Sequence, residues 1–138
     1  KINNKPVKFY GLGACMADLM RPAMYNAYHH ISVIKNGSSN KTLNYDELEE
    51  VNVVGSLCEN NDWFAKNRLL PKNIEIGDIF IIHDVGAHSR SMGFNYNGKC
   101  RPAEWMYADN GLTKIQESEK VMDLLDRYNY NVDVQGCM

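Results

Sequence analysis

A thiol and a carboxylate stand side by side at Cys58-Glu59, followed by Asn60-Asn61-Asp62, just past an apolar stretch that ends in Gly55. Reactive groups often sit where a strand gives way to a loop. The plainer reading of the same residues is a buried thiol beside a solvated turn of Asn and Asp. A second grouping is Arg21-Pro22-Ala23-Met24-Tyr25, continuing through Asn26 to His30. Arginine is the side chain best shaped to grip a carboxylate with two parallel bonds, and Tyr25, four residues on, can reach the same anion. Its plainer alternative is a surface ion pair with half-buried tyrosines. The third grouping, His83-Asp84-Val85-Gly86-Ala87-His88, leaves a strand through a polar, glycine-containing exit. Histidines five apart match neither the helical zinc pair nor a finger spacing, so a turn or a hydrogen-bonding imidazole is expected there, not a metal site.

Other chemistries lack their signatures. Gly11-Leu12-Gly13 is too short to cradle a phosphate, and no G-x-S-x-G nucleophile elbow is present. The cysteines, Cys15, Cys58, Cys100 and Cys137, form no CxxC pair. Their sparseness argues for reduced, cytosolic thiols over a disulfide framework. A formal net charge of −2 with no basic run argues against nucleic acid as a partner. The apolar runs, such as Ile79 to Ile82, fall far short of a membrane span, so a soluble protein is expected. Its 138 residues suit one domain with a real core. The opening at Lys1, with neither initiator Met nor apolar leader, reads as a piece of a longer polypeptide.

The elements that must position these groups are mainly strands. His30 to Lys35, Val51 to Gly55, Ile79 to His83 and Glu104 to Tyr107 are short and β-branched or aromatic. Asn36 to Asn40 reads as a loop, Pro71 to Asp78 as a turn-rich approach to a strand, and Asp109-Asn110-Gly111 as a hairpin turn. Tyr45 to Glu50 reads as a brief acidic helix. A better helix is Glu117 to Tyr128, where Val121, Leu124, Leu125 and Tyr128 recur at helical spacing, with Ser118 as N-cap and Glu119 complementing the dipole. The fold class predicted is mainly β: an antiparallel β-barrel or sandwich with a short C-terminal helix.

The order of the groupings is more telling than any one of them. The stretch from Gly13-Ala14-Cys15-Met16-Ala17-Asp18 through Arg21-Pro22-Ala23-Met24-Tyr25 to Ile31 closely resembles the entry of diaminopimelate decarboxylases into their β-domain. Gly55-Ser56-Leu57-Cys58-Glu59 with Asp62 resembles that family's Cys-Glu loop, and Leu70-Pro71 through Gly77-Asp78 its lead into the next strand. Gly86-Ala87-His88, Met92, Asn95-Tyr96-Asn97-Gly98 and Arg101-Pro102-Ala103-Glu104 follow in family order, so the likeness runs from about Phe9 to Leu125. Three departures stand out. His88 replaces a frequent Tyr, Asn60-Asn61 replaces the usual small pair, and Gly13 replaces an Asp.

The resemblance implies that residues 1–138 are the C-terminal β-domain of a cytoplasmic decarboxylase that uses pyridoxal phosphate to make lysine from diaminopimelate. The cofactor lysine would lie in an N-terminal (β/α)8 barrel, and active sites would be shared across a homodimer. It further implies that Cys58 is the acid that protonates the substrate carbon, and that Glu59 pairs with the distal ammonium. By the same likeness Arg21 and Tyr25 hold the distal carboxylate, His88 faces the cofactor, and no metal takes part. The domain alone would be inactive. Related decarboxylases of ornithine, arginine or carboxynorspermidine share the plan but usually follow the cysteine with Asp, where this chain has Glu59. A stand-alone β-barrel binding or dimerisation module is the rival outside the enzymes.

Overall fold

Alternation of apolar residues places Ile31 and Val33 on one face of a short strand, and Val51 and Val53 on one face of another. All four are buried, as a period of two requires. Around them the computed structural model describes residues 6–37, 42–109 and 111–128. Two compact units appear, Lys1–Gly93 and Phe94–Met138.

The first unit contains β1 (Lys8–Gly11), α1 (Arg21–Tyr25), β2 (Ile31–Ile34), β3 (Leu48–Val54), β4 (Trp63–Pro71), β5 (Ile79–Ile82) and α2 (Ser89–Met92). Its strands form two ladders, β1-β3-β4 and β2-β5. Pairing is antiparallel for β3–β4 and β2–β5, but β1 runs parallel to β3, with Lys8 opposite Val51 and Gly11 opposite Val54. The core combines Leu19, Ile31, Val33, Val51, Val53, Phe64, Ala65, Leu70 and Ile74.

The second unit contains β6 (Glu104–Ala108), β7 (Gly111–Gln116) and α3 (Val121–Leu125), which runs on into a 3-10 turn at Asp126–Tyr128. The expected hairpin is present, with Ala108 opposite Gly111 and Gly111 at φ +100. The fold is thus mainly β with a short C-terminal helix. Among the described residues the ladders do not close into a barrel.

Several expectations need correction. Tyr45 to Glu50 is not a helix: Asp46 N–H bonds to the Asn44 side chain in a turn, and Leu48 already pairs with Pro71 in β3. Glu49 is drawn to Lys8 and Tyr10 of β1, contacts that favour the strand over a local helix. β1 and β4 went unforeseen. In β4 a bulge explains why: between Val51↔Arg68 and Val53↔Ala65 the strand carries an extra residue, and Asn67 sits there at φ +50 with its N–H on Asn52 Oδ1 at 3.1 Å. A second register break lies between Val53↔Ala65 and Val54↔Trp63, where Phe64 is the extra residue, so Phe64 and Ala65 are buried in succession.

Nor does Ser118 cap the last helix. The N-cap is Lys120, still extended at φ −107 and ψ 159, whose N–H bonds to Asp123 Oδ2 at 2.7 Å. Glu119 is held back from the helix by Arg101, whose guanidinium reaches Oε1 through Nε at 2.8 Å and Nη2 at 2.6 Å. Arg101 N–H, Asn95 and Arg127 complete the ring around it. The loop at 38–40, the hairpin residue Asn110 and Cys137 lie outside the described residues.

This ring substitutes for a core, since no described residue of the second unit is buried. The Arg101 hydrogen bond, ahead of the other donors, lowers the Glu119 pKa from the ordinary 4.5 to about 2. A depressed carboxyl stabilises the fold fully above pH 4.5 and loses that contribution as the pH falls toward about 2. We therefore expect Glu119→Gln to lower the thermal midpoint of this unit near neutral pH and to match the unsubstituted protein at pH about 2. Thermal unfolding followed across that range checks it, and a deficit that persists at the acid end would contradict it.

Candidate functional site

The stretch after β1 leaves the sheet with Leu12 N–H on Val54 O at 2.9 Å, then closes a turn at Cys15. There Asp18 N–H bonds to Cys15 O at 2.9 Å while Asp18 Oδ2 accepts Cys15 N–H at 2.9 Å. Two segments, the loop between β3 and β4 and the start of α2, are fastened to this turn by three bonds. Ser56 Oγ donates to Gly13 O at 3.3 Å, Asp62 Oδ1 accepts Met16 N–H at 2.6 Å, and Ser89 Oγ donates to Asp18 O at 2.7 Å. The chain runs from the same turn into α1. The regions bearing Cys58 and Glu59, Arg21 and Tyr25, and His88 are thereby tied to one short piece of backbone.

Between β3 and β4 the loop closes on itself. Gly55 N–H donates to Asp62 O at 2.9 Å, Asp62 N–H to Glu59 O at 3.1 Å, and Trp63 N–H to Asn61 O at 2.9 Å. Cys58 is exposed at its tip. Glu59 is half-buried and lines a groove with Val54, Asn60, Trp63 and Lys66. Asp62, grouped above with a solvated turn, is only 4% exposed. The plainer reading of this loop thus had the two residues reversed: the thiol is outside and the aspartate inside. The buried thiol is Cys15, whose pKa burial pushes up, as suits an inert packing group.

α1 is short because Pro22 sits in its first turn, where a missing N–H costs nothing, and Asn26 at φ 52 ends it. Arg21 opens the helix, and no ion pair of its guanidinium is found among the described residues. Tyr25 is exposed on the same helix. His88 precedes α2 as its N-cap residue without a side-chain capping bond. His83, by contrast, is turned to structure: its Nε2 lies 2.7 Å from Ser32 Oγ, its carbonyl 2.9 Å from His29 Nδ1, and its ring 5.1 Å from that of His30. Among the described residues no three His, Cys, Asp or Glu side chains are grouped to hold a metal ion. No described helix is long and apolar enough to cross a membrane.

Three residues that organise the site escaped the sequence reading as such: Ser56, Asp62 and Ser89. For Asp62 a signal existed. A glycine that opens a loop and an acid that closes it mark a place where a side chain must lie against bare backbone. A Cβ on Gly55 would come within 2.1 Å of Asp62 Oδ1.

Fold and site together define a small β-rich domain that presents an exposed thiol next to a carboxylate, on a loop tied to an arginine-bearing turn. The chain belongs to the family described as pyridoxal-dependent decarboxylase, C-terminal sheet domain, whose model matches residues 1–86. A diaminopimelate decarboxylase of Methanocaldococcus jannaschii is 42% identical over 127 residues, covering 90% of this chain and 26% of that protein. The protein TabA of Pseudomonas amygdali pv. tabaci is 46% identical over 124 residues, covering 87% and 27%. Among solved structures, diaminopimelate decarboxylase from M. jannaschii in complex with L-lysine superposes with a TM-score of 0.75 at 40% identity, over 92% of this chain and 27% of that one. The Helicobacter pylori enzyme complexed with L-lysine gives 0.77 at 32% identity, over 91% and 29%. The chain thus spans roughly a quarter to a third of the length of the relatives it matches.

The family name implies pyridoxal phosphate, and four of the described lysines, Lys8, Lys35, Lys66 and Lys114, are engaged in ways that do not suit its anchor. A Schiff-base lysine needs an amine that loses its proton readily. Hydrogen bonds that the ammonium groups of Lys8 and Lys35 donate to Glu49 and Asp78 instead raise their pKa. Lys114 engages Glu117, and Lys66 lies over the Trp63 ring at 4.1 Å. Nor is Gly11 to Gly13 a phosphate cradle, since Leu12 N–H is already committed to the sheet.

Proposed function

We propose that this chain is the C-terminal domain, residues 1–138, of a diaminopimelate decarboxylase that releases carbon dioxide from meso-diaminopimelate to give L-lysine. The observation that carries the reading is the exposed Cys58 beside half-buried Glu59, on a loop pinned to the turn that leads into Arg21. The named relatives support it. The cofactor, pyridoxal phosphate, would be held by an N-terminal (β/α)8 barrel elsewhere in the parent protein, which would work in the cytoplasm as a homodimer with shared active sites. The finer architecture proposed for the whole β-domain is a barrel or sandwich.

In this assignment the residues divide the work by their chemistry. Arg21 and Tyr25 bind the substrate's distal carboxylate, a task suited to a guanidinium without an ion pair among the described residues. Glu59 binds the distal ammonium. Cys58 Sγ holds the proton that the substrate carbon receives after its carboxylate has left. His88 faces the cofactor.

The test is carbon dioxide release by the full-length parent protein from meso-diaminopimelate, ornithine and arginine side by side. Preference for the dicarboxylate is expected, and equal or better use of ornithine would overturn the substrate assignment. The isolated chain mixed with pyridoxal phosphate is expected to show no stoichiometric imine absorbance, because in this reading the Schiff-base lysine lies in the barrel. A saturable one-to-one absorbance band would contradict that division of labour.

A further inference from the structure

A buried carboxylate must find hydrogen-bond donors, and the donors that Asp62 finds come from two different segments. Oδ1 accepts the N–H of Met16 at 2.6 Å, and Oδ2 accepts the N–H of Leu57, the residue before Cys58, at 2.5 Å. The main chain of Asp62 adds two more bonds, its carbonyl to Gly55 N–H and its amide to Glu59 O. One residue therefore fixes the beginning, the tip and the end of the Cys58-Glu59 loop, and through Met16 it fixes that loop to the turn that leads into Arg21. Gly55 makes this possible, because any side chain there would occupy the space of the carboxylate.

We propose that Asp62 is a positioning residue: a carboxylate clamp that sets Cys58 and Glu59 in register with the segment leading to Arg21, without itself touching substrate. This rests on the function proposed above. A reacting group held a fraction of an ångström out of place is a poor catalyst even when it is present, so the clamp acts on turnover.

The informative substitution is Asp62→Asn in the full-length, cofactor-loaded protein. Asn fills the same volume beside Gly55 and keeps one oxygen, but it sets an NH2 against one of the two backbone N–H groups. Turnover per cofactor-loaded site is expected to fall about tenfold, the scale of one hydrogen bond lost in the transition state. KM for diaminopimelate should move less, within about threefold, since Arg21 and Tyr25 are untouched and Glu59 keeps its charge. A purely structural role would reduce the amount of loaded enzyme and leave turnover per loaded site unchanged. Hydrogen exchange provides the second readout. In the unsubstituted protein the Leu57 and Met16 amides should be protected although both lie in loops, and Asp62→Asn should remove protection from at least one of them. Turnover per loaded site equal to the parent's would overturn the proposal, as would Leu57 and Met16 amides that exchange freely in the unsubstituted protein. The exchange measurement decides the clamp even if the variant fails to fold. It also separates the two readings: a parent protein inactive on diaminopimelate refutes the proposed function, while amide protection still reports on Asp62.

Discussion

Cys58→Ala in the full-length parent protein is expected to lower kcat by about two to four powers of ten, the usual reach of a positioned general acid, with a far smaller change in KM. The structure makes this a clean substitution. Cys58 is exposed, and the bonds that shape its loop run through the backbone of Gly55, Leu57, Glu59 and Asn61 and the carboxylate of Asp62, so removing Sγ leaves them in place. Surface changes of this kind usually alter stability by less than about 0.5 kcal/mol, so lost activity would not be lost fold. Chemistry offers an independent readout. The carbon that loses its carboxylate becomes a CH2, and in D2O a single fixed acid delivers deuterium to one face of it. Product lysine from the unsubstituted enzyme should be labelled with one configuration, and that from Cys58→Ala with a mixture, because solvent reaches both faces. Unchanged kcat and unchanged stereochemistry would reduce Cys58 to an exposed bystander.

The contrast with Cys15 shows why residue type alone left the roles open. Both are cysteines in loops, yet Cys15 is 1% exposed and Cys58 lies at a loop tip. The order of the segments around Cys58, Arg21 and His88 was legible in the sequence, and so were the strands whose apolar residues alternate, Ile31–Ile34 and Leu48–Val54 in part. What escaped was set by contacts distant in the chain. The register breaks at Asn67 and Phe64 scrambled the alternation of β4. The pull of Arg101 on Glu119 delayed the last helix past Ser118. The partnership of Glu49 with Lys8, 41 residues away, helped make a strand of what locally looked helical. Asp62 belongs to the same class, since its burial depends on a glycine seven residues earlier and an amide 46 residues earlier.

Glu59→Gln in the parent protein is expected to lower kcat/KM for diaminopimelate by about one to two powers of ten. Glu59 is half-buried at the mouth of a groove and carries the only formal charge in the run Ser56 to Asn61. Glutamine keeps the shape and an acceptor oxygen but removes the negative charge, so what is lost is the charge-assisted part of a bond to an ammonium, about 1.5 to 3 kcal/mol. At about 1.4 kcal/mol per factor of ten, that range gives the expected loss. Cofactor content should stay the same, because in the proposed reading pyridoxal phosphate is held by the barrel and not by this loop. The substrate series makes the assignment specific. A monoamine analogue of diaminopimelate that lacks the distal ammonium should be used equally well by both proteins, since the group that Glu59 reads is missing from it. Steady-state kinetics on both substrates, with a cofactor titration alongside, give the answer. A Gln variant that keeps full kcat/KM for diaminopimelate, or loses as much on the analogue, would show that Glu59 does not read that ammonium.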